Sequence, residues 1–183
     1  MPERSSATSR ILLVSGSTRA GSTNSALVRT ALACAPDGVA TVRYGMTGLP
    51  YFNPDDDSEP LPPAVVSLRA AVAASSALLF CTPEYAGSMP GALKNLLEWT
   101  VGSTVMTDKP VAWVNAAADP RRGHGANDQL ATVLGYVQAR VVPEACISVP
   151  VHHELIGADG LVDDADARAA LAGVLGHLVD AAR

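Results

Sequence analysis

Between Val14 and Asn24 the sequence reads VSGSTRAGSTN, which gathers five hydroxyl side chains (Ser15, Ser17, Thr18, Ser22, Thr23), one guanidinium (Arg19) and one amide (Asn24) in a short loop. These are the groups of an anion receptor. The spacing Gly16-x-x-x-x-Gly21-Ser22-Thr23 approaches the triphosphate loop G-x-x-x-x-G-K-[ST], but Ser22 stands where the lysine belongs. Without that lysine the β and γ phosphates are not neutralised. The dinucleotide fingerprint G-x-G-x-x-G fails too, because Thr18 occupies its second glycine, where backbone must approach a pyrophosphate closely. Many neutral donors and one arginine suit a single terminal phosphate, so a monophosphate ligand fits best. The bland alternative is a serine-rich turn that caps a helix through Ser22, Thr23 or Asn24.

A second stretch with chemical content runs from Thr82 to Trp99, TPEYAGSMPGALKNLLEW. It opens on Pro83, exposes Tyr85, turns through Gly87, and reaches Pro90, a residue suited to the first position of a helix. The backbone amides of Glu84, Tyr85, Ala86, Gly87 and Ser88 then lie outside regular structure and are available to the polar edge of a planar heterocycle. Tyr85 is placed to pack on such a ring. An ordinary strand-to-helix connection, with Tyr85 in a subunit or domain contact, accounts for the same residues. In the helix that follows, Leu96, Leu97 and Trp99 read as core or interface residues, and Lys94 and Glu98 as an exposed pair worth tenths of a kcal/mol.

Both stretches need a scaffold that brings them to one edge. Five apolar, β-branched-rich runs, Ile11–Val14, Val39–Tyr44, Ala77–Cys81, Val111–Asn115 and Ala145–Val149, read as strands. Helical segments are predicted near Asn24–Cys34, Leu61–Ala74, Pro90–Gly102, Ala126–Arg140 and Asp163–Ala182. This β-α alternation implies an α/β domain with a doubly wound parallel sheet and helices on both faces. Five strands favour the flavodoxin-like order 2-1-3-4-5, with ligands at the carboxyl ends of strands one, three and four. The first loop then sits at the switch point, where backbone N–H groups and the helix dipole favour an anion.

Residues 1–9 read as a short flexible polar tail, and residues 10–183 as a single domain, a usual size for one core. No apolar run approaches the roughly 20 residues that cross a bilayer, and no signal core is evident, so a soluble cytoplasmic protein is expected. Cys34, Cys81 and Cys146 stand apart among small and apolar neighbours, as buried free thiols do. The net charge of -5 and the absence of a basic run argue against nucleic acid as a partner. The acidic loop at Asp55, Asp56 and Asp57 reads as a solvated face. His152, His153 and Glu154 make a poor metal site, since neighbours in extended chain point to opposite faces.

The two loops together resemble the NADPH-dependent FMN reductase family. The first matches G-S-x-R-x-x-S-x-N through Gly16, Ser17, Arg19, Ser22 and Asn24. The second matches P-E-Y-N-G-S-x-P-G-x-L-K-N-x-x-D-W at Pro83, Glu84, Tyr85, Gly87, Ser88, Pro90, Gly91, Leu93, Lys94, Asn95 and Trp99. Ala86 replaces the usual asparagine, and Glu98 the usual aspartate. The family's third loop is glycine-rich and lies by the flavin ring; here it is AAADPRRGHGAND, with Gly123 and Gly125 as its glycines.

The resemblance implies a flavoprotein oxidoreductase that takes hydride from NADPH, or from NADH, onto FMN and passes it by a ping-pong mechanism to a small acceptor. Quinones, free flavin, azo compounds and oxidised metal ions are the acceptors it suggests. The cofactor site implied is Ser17, Arg19, Ser22, Thr23, Asn24 and Pro83 with Glu84, Tyr85, Ala86, Gly87 and Ser88, and the flavin rather than a catalytic side chain carries the chemistry. Arg121, Arg122 and His124 are placed by topology to meet nicotinamide nucleotide phosphates. A homodimer or homotetramer, in which a neighbour completes the flavin site, is implied as well. The competing reading is a flavodoxin-like electron carrier that does not oxidise a nicotinamide; scarce aromatics and mild charge favour the enzyme.

Overall fold

The predicted runs Val39–Tyr44 and Ala77–Cys81 become strands with those same ends, and each of the first four runs lies within a parallel strand. In the computed structural model, which describes residues 9–119 and 121–183, these are β1 (Ser9–Ser15), β2 (Val39–Tyr44), β3 (Ala77–Cys81) and β4 (Pro110–Asn115). Helices α1 (Thr23–Ala33), α2 (Pro63–Ala73), α3 (Gly91–Glu98) and α4 (His124–Tyr136) follow them in turn, and α5 (Ala165–Ala181) comes last. The strand order β2-β1-β3-β4, with β5 (Arg140–Val141) at the edge beside β4, is the flavodoxin-like one predicted. The predicted tail falls outside the described residues except for Ser9, which already pairs with Val39 in β1.

The fifth strand departs from the prediction. Instead of one run over Ala145–Val149 there are two short strands, β5 (Arg140–Val141) beside the start of β4 and β6 (Ile147–Ser148) beside its end. A 3₁₀ turn at Pro143–Ala145 separates them. Pro143 lacks the N–H that a continuous strand would donate, and its ring favours the turn. This edge also shortens α4, predicted to reach Arg140. The helix stops at Tyr136 because Gln138 adopts a left-handed φ of 60° and the Ala139 amide returns to the Leu134 carbonyl.

Helix α3 is also shorter than the predicted Pro90–Gly102. Pro90 sits one place ahead, as the N-cap, and the Thr100 hydroxyl donates to the Leu97 carbonyl in the turns beyond Glu98. All of Leu93, Leu96, Leu97 and Trp99 are buried, so the helix face is core rather than interface. The Trp99 indole donates to the Pro50 carbonyl at 2.8 Å and meets Phe52 edge to face, which pins the long segment after β2.

Side-chain alternation along the strands divides the apolar interior into two layers. Ile11, Leu13, Leu79 and Val114 face α1 and α5, against Leu27, Leu171 and Leu175. Leu12, Val14, Leu78 and Phe80 face α2, α3 and α4, against Leu68, Leu96 and Leu130. Each fully buried leucine contributes about 1.5–3 kcal/mol relative to exposure, so this double layer makes a rigid floor for loops at the strand ends. Among the cysteines only Cys81 is fully buried; Cys34, which caps α1, and Cys146, after the 3₁₀ turn, are half-buried, and all three are free. The acidic loop is not wholly solvated either, because Asp57 pairs with Arg69 at 2.5 Å with both side chains largely covered.

Candidate functional site

The first loop leaves β1 at Ser15 and closes on β3 immediately, the Gly16 amide donating to the Cys81 carbonyl at 2.8 Å. A Cβ on Gly16 would lie 2.3 Å from the Thr82 hydroxyl, so only glycine allows this approach. The loop then runs to α1, whose N-cap is Ser22, and the Ser22 side chain makes no capping bond. The first turn of α1 carries no acidic residue. Its N–H groups and helix dipole are therefore directed at an anion pole with Arg19 beside it. Asn24 is buried, its Oδ1 accepting from the Cys81 thiol at 3.3 Å, which leaves the Nδ2 group as a donor. Burial pushes the Cys81 thiol far above its ordinary pKa, so it remains a neutral donor to this amide.

The second loop leaves β3 at Thr82 and forms a two-residue reverse turn. Tyr85 and Ser88 exchange backbone bonds of 2.9 and 3.1 Å, and Ala86 and Gly87 between them have φ of 52° and 74°. Positive φ at both central positions is the pattern of a type I′ turn. Asparagine tolerates such a position, whereas Ala86 carries strain there. The turn also revises the expected set of open amides: those of Tyr85 and Ser88 donate to each other's carbonyls, leaving those of Glu84 and, at the tip, Ala86 and Gly87. Tyr85 itself is exposed, as a residue meeting a ligand ring or another chain must be.

The third wall follows β4. Asn115, buried at the strand end, accepts from the Ala117 amide at 3.0 Å and donates to the Arg122 carbonyl at 2.9 Å, so one side chain shapes the loop from both sides. Gly123, with φ of 89°, packs on that amide, where any Cβ would lie 2.3 Å from Asn115 Oδ1. Helix α4 starts next, and Glu84 reaches across from the second loop to accept from the Gly125 amide at 3.0 Å. A carboxylate at a helix N-terminus is favoured by the dipole, so Glu84 ties the second and third walls together. Arg121 is turned to Asp119, whose carboxyl is held below its ordinary pKa by hydrogen bonds from the Arg121 side chain and amide.

The three walls enclose a cavity of about 690 Å³ at the carboxyl ends of β1, β3 and β4. Of the predicted residues, Arg19, Ser22, Thr23, Asn24, Pro83, Glu84, Tyr85, Ala86 and Gly87 all line it. Ser17 and Ser88 do not. The Ser17 hydroxyl accepts from the Arg19 amide at 3.3 Å and so shapes the loop, and Ser88 closes the turn. The reading from sequence missed Thr82, Asn115, Ala116 and Ala117, which form the floor, and had no firm place for Arg122 and Gly123, which also line the cavity. The signal for Asn115 was an amide closing the apolar run VAWVN. His152, His153 and Glu154, read from the sequence as extended chain and a poor metal site, differ in backbone form, since His153–Leu155 make a 3₁₀ turn.

The lining fits a phosphorylated flavin on three counts. Among the described residues its cations are Arg19 and Arg122, and its one acid, Glu84, is engaged at the α4 terminus. The volume lies within the range of cofactor sites. Ala86, Gly87, Ala116, Ala117 and Gly123 give the lining the small side chains and backbone that a flat ring requires.

A model of the NADPH-dependent FMN reductase family matches residues 9–154. An NAD(P)H-dependent FMN reductase of Pseudomonas aeruginosa is 39 % identical over 111 residues, which span 60 % of this chain and 60 % of that protein. A quinone reductase of Pseudomonas putida is 31 % identical over 159 residues, covering 84 % of this chain and 81 % of that one. Among solved structures, the flavoenzyme NAD(P)H:(acceptor) oxidoreductase FerB of Paracoccus denitrificans superposes with a TM-score of 0.83 at 26 % identity, over 95 % of this chain and 97 % of that one. With the two loop patterns, the sheet order and a family match over most of its length, the chain belongs to the NADPH-dependent FMN reductase family.

Proposed function

We propose that this protein is an FMN-dependent NAD(P)H oxidoreductase that passes hydride from NADPH, or NADH, to a small acceptor such as a quinone, flavin, azo compound or oxidised metal ion. The observation that carries the reading is the polarity of one cavity. The anion pole at the α1 N-terminus, the exposed Tyr85 turn and the small Ala116 and Ala117 after β4 all line it. FMN, when bound, supplies the hydride-accepting and hydride-donating ring, and the protein's own part is to hold and orient it.

In this reading Ser22, Thr23, Asn24, Arg19 and the α1 amides hold the phosphate. The Ala86 and Gly87 amides face the ring's polar edge as preorganised dipoles that favour negative charge there. Glu84, fixed on Gly125, sets the distance between the walls on either side of the ring. The relatives named as reductases of FMN and quinones support the reaction class, and donor and acceptor that use one open face in turn give ping-pong kinetics.

The assembly proposed is a homodimer or homotetramer, which size-exclusion chromatography tests. No helix among the described residues is long and apolar enough to cross a membrane, in keeping with a cytoplasmic location.

The deciding experiment is the absorbance spectrum of FMN-loaded, desalted protein on anaerobic addition of NADPH and then of NADH. Retained flavin bands that bleach with either donor support the reductase. Bands that persist with both identify an electron carrier instead and overturn the proposal.

A further inference from the structure

A second cleft, of about 300 Å³, opens on the other side of the first loop, between β1, β2 and α1. Among the described residues its lining includes Arg19, Arg29 and Arg43 with the hydroxyl residues Ser15, Ser25 and Tyr44, and no aspartate or glutamate. That is notable in a chain of net charge -5 with only 13 lysines and arginines. Among the described residues no carboxylate pairs with any of the three arginines, whereas Arg69, Arg121 and Arg183 each have an acidic partner.

The cations are arranged by the fold. Arg29 lies one helical turn after Ser25, and its Nε donates to the Gly160 carbonyl at 3.1 Å across a turn where Gly160 has φ of 75°. A Cβ on Gly160 would lie 3.2 Å from the guanidinium, so the turn grips that side chain closely. Ser15 and Ser25 share a hydrogen bond of 3.0 Å. Arg43 sits opposite Leu13 in the sheet register, hence on the α1 side of edge strand β2, and is exposed. Arg19 borders both cavities and divides one from the other.

Like charges gathered without a carboxylate repel one another, and a planar guanidinium pairs most strongly with carboxylate or phosphate oxygens. We propose that this cleft is a second phosphate site that binds a phosphate monoester while FMN fills the first cavity, with Arg29 and Arg43 as its principal ligands. The volume stands at the lower end of ligand sites, enough for a phosphate and its sugar but not a whole dinucleotide. The phosphate has two possible sources, the adenosine 2′-phosphate of NADPH or a separate phosphorylated metabolite. The proposal rests on the FMN reading only in that flavin occupies the neighbouring cavity.

The test uses FMN-loaded protein titrated calorimetrically with inorganic phosphate and with adenosine 2′-monophosphate, in wild type, Arg43→Gln and Arg29→Gln. Flavin absorbance after desalting reports the first site independently, so failure to retain FMN counts against the functional reading and not against the cleft. Wild type is expected to bind both probes, and each variant to lose about ten-fold in affinity, as removal of one charged hydrogen-bonding partner does. Arg43 serves as the second variant because, exposed on the edge strand, it can be replaced without disturbing Gly160 or the core. Absence of binding to wild type, or wild-type affinity in both variants, overturns the site. A KM ratio of NADPH to NADH that rises about ten-fold in Arg43→Gln assigns the phosphate to the nicotinamide nucleotide. An unchanged ratio with lost phosphate binding assigns it to a separate metabolite.

Discussion

Replacing Gly125 with alanine tests whether the contact between the second and third walls sets the flavin slot. The added Cβ would sit 2.4 Å from the Gly87 carbonyl oxygen and 3.0 Å from its carbon, both backbone atoms that cannot rotate away. Restoring ordinary contact near 3.5 Å requires the turn at Ala86–Gly87 or the start of α4 to retreat by roughly 1 Å. The same shift stretches the Gly125 amide from its 3.0 Å bond to Glu84. Overpacking of this kind costs about 1–3 kcal/mol, and a weakened charge-assisted bond adds to it. A cost near 2 kcal/mol lowers Tm by about 4–8 °C in a chain of this size. Because the displaced turn lines the cavity proposed to hold FMN, FMN affinity should fall further, about ten- to a hundred-fold. Thermal denaturation of apoprotein and quenching of FMN fluorescence measure the two effects. Gly173→Ala is the control, since its Cβ meets nothing within 4 Å on an exposed face of α5; it should raise stability by about 0.5–1 kcal/mol without changing FMN affinity. A Gly125→Ala protein with wild-type Tm and wild-type FMN affinity would refute the argument.

Arg19→Ala should weaken FMN retention and leave the far-ultraviolet spectrum intact, because the side chain is exposed and its one weak bond is to the Gly21 carbonyl at 3.4 Å; equal FMN affinity by fluorescence titration would sink the phosphate assignment. Tyr85→Ala should change turnover or acceptor preference more than Tm, and a variant that does not fold would make the exposed ring structural. Ala86→Asn should stabilise the turn by about 0.5–1 kcal/mol, read as a higher midpoint in urea, since asparagine tolerates a φ of 52° better than alanine. Burial raises the pKa of Cys34, Cys81 and Cys146 alike, so an aromatic disulfide reagent should label the native protein slowly near neutral pH. Labelling of Cys34 and Cys146 should accelerate as pH rises and thiolate forms, whereas Cys81 should react only on unfolding.

The fold was readable because strands and helices differ so clearly in period and composition. ILLV, ALLFC and VAWVN are short apolar runs of the kind that only a sheet covered on both faces buries, and each is followed by a segment able to form a helix. The edge was not readable. Arg140 looked like the end of a helix and Val141 belonged to no predicted element, and only the left-handed Gln138, a tertiary feature with no glycine to announce it, turns the chain into β5. The loops that carry their own polar side chains, Ser22 to Asn24 and Pro83 to Gly87, were found. Ala116 and Ala117 were missed because floor residues contribute backbone and smallness, properties without a spacing. Ser17 and Ser88 matched their motifs, yet their observed bonds shape the loops themselves.

The level of the site follows from one change shared by three adjacent strands. Val14 gives way to Ser15, Cys81 to Thr82 and Val114 to Asn115; the register places the steps of β3 and β4 at the same height and that of β1 one residue earlier, with Ser15 opposite Cys81 and Cys81 opposite Val114. All three polar residues are buried, so each must find a partner or lose the hydrogen bonds it had in water. Ser15 meets Ser25 on α1, Thr82 donates to the Pro83 carbonyl, and Asn115 holds the third loop at the Ala117 amide and the Arg122 carbonyl. Satisfying these groups therefore fixes the departure of all three loops, and the cavity takes its shape from the hydrogen-bonding needs of the strand ends before any ligand binds. It also explains why glycines recur against this layer: Gly16 packs on Thr82 and Gly123 on Asn115, each at a distance no side chain could share. A cavity shaped by such constraints is preorganised, so binding free energy is not spent on ordering its walls, and substitutions at Ser15, Thr82 or Asn115 should weaken ligand binding through loop position even where the side chain touches no ligand.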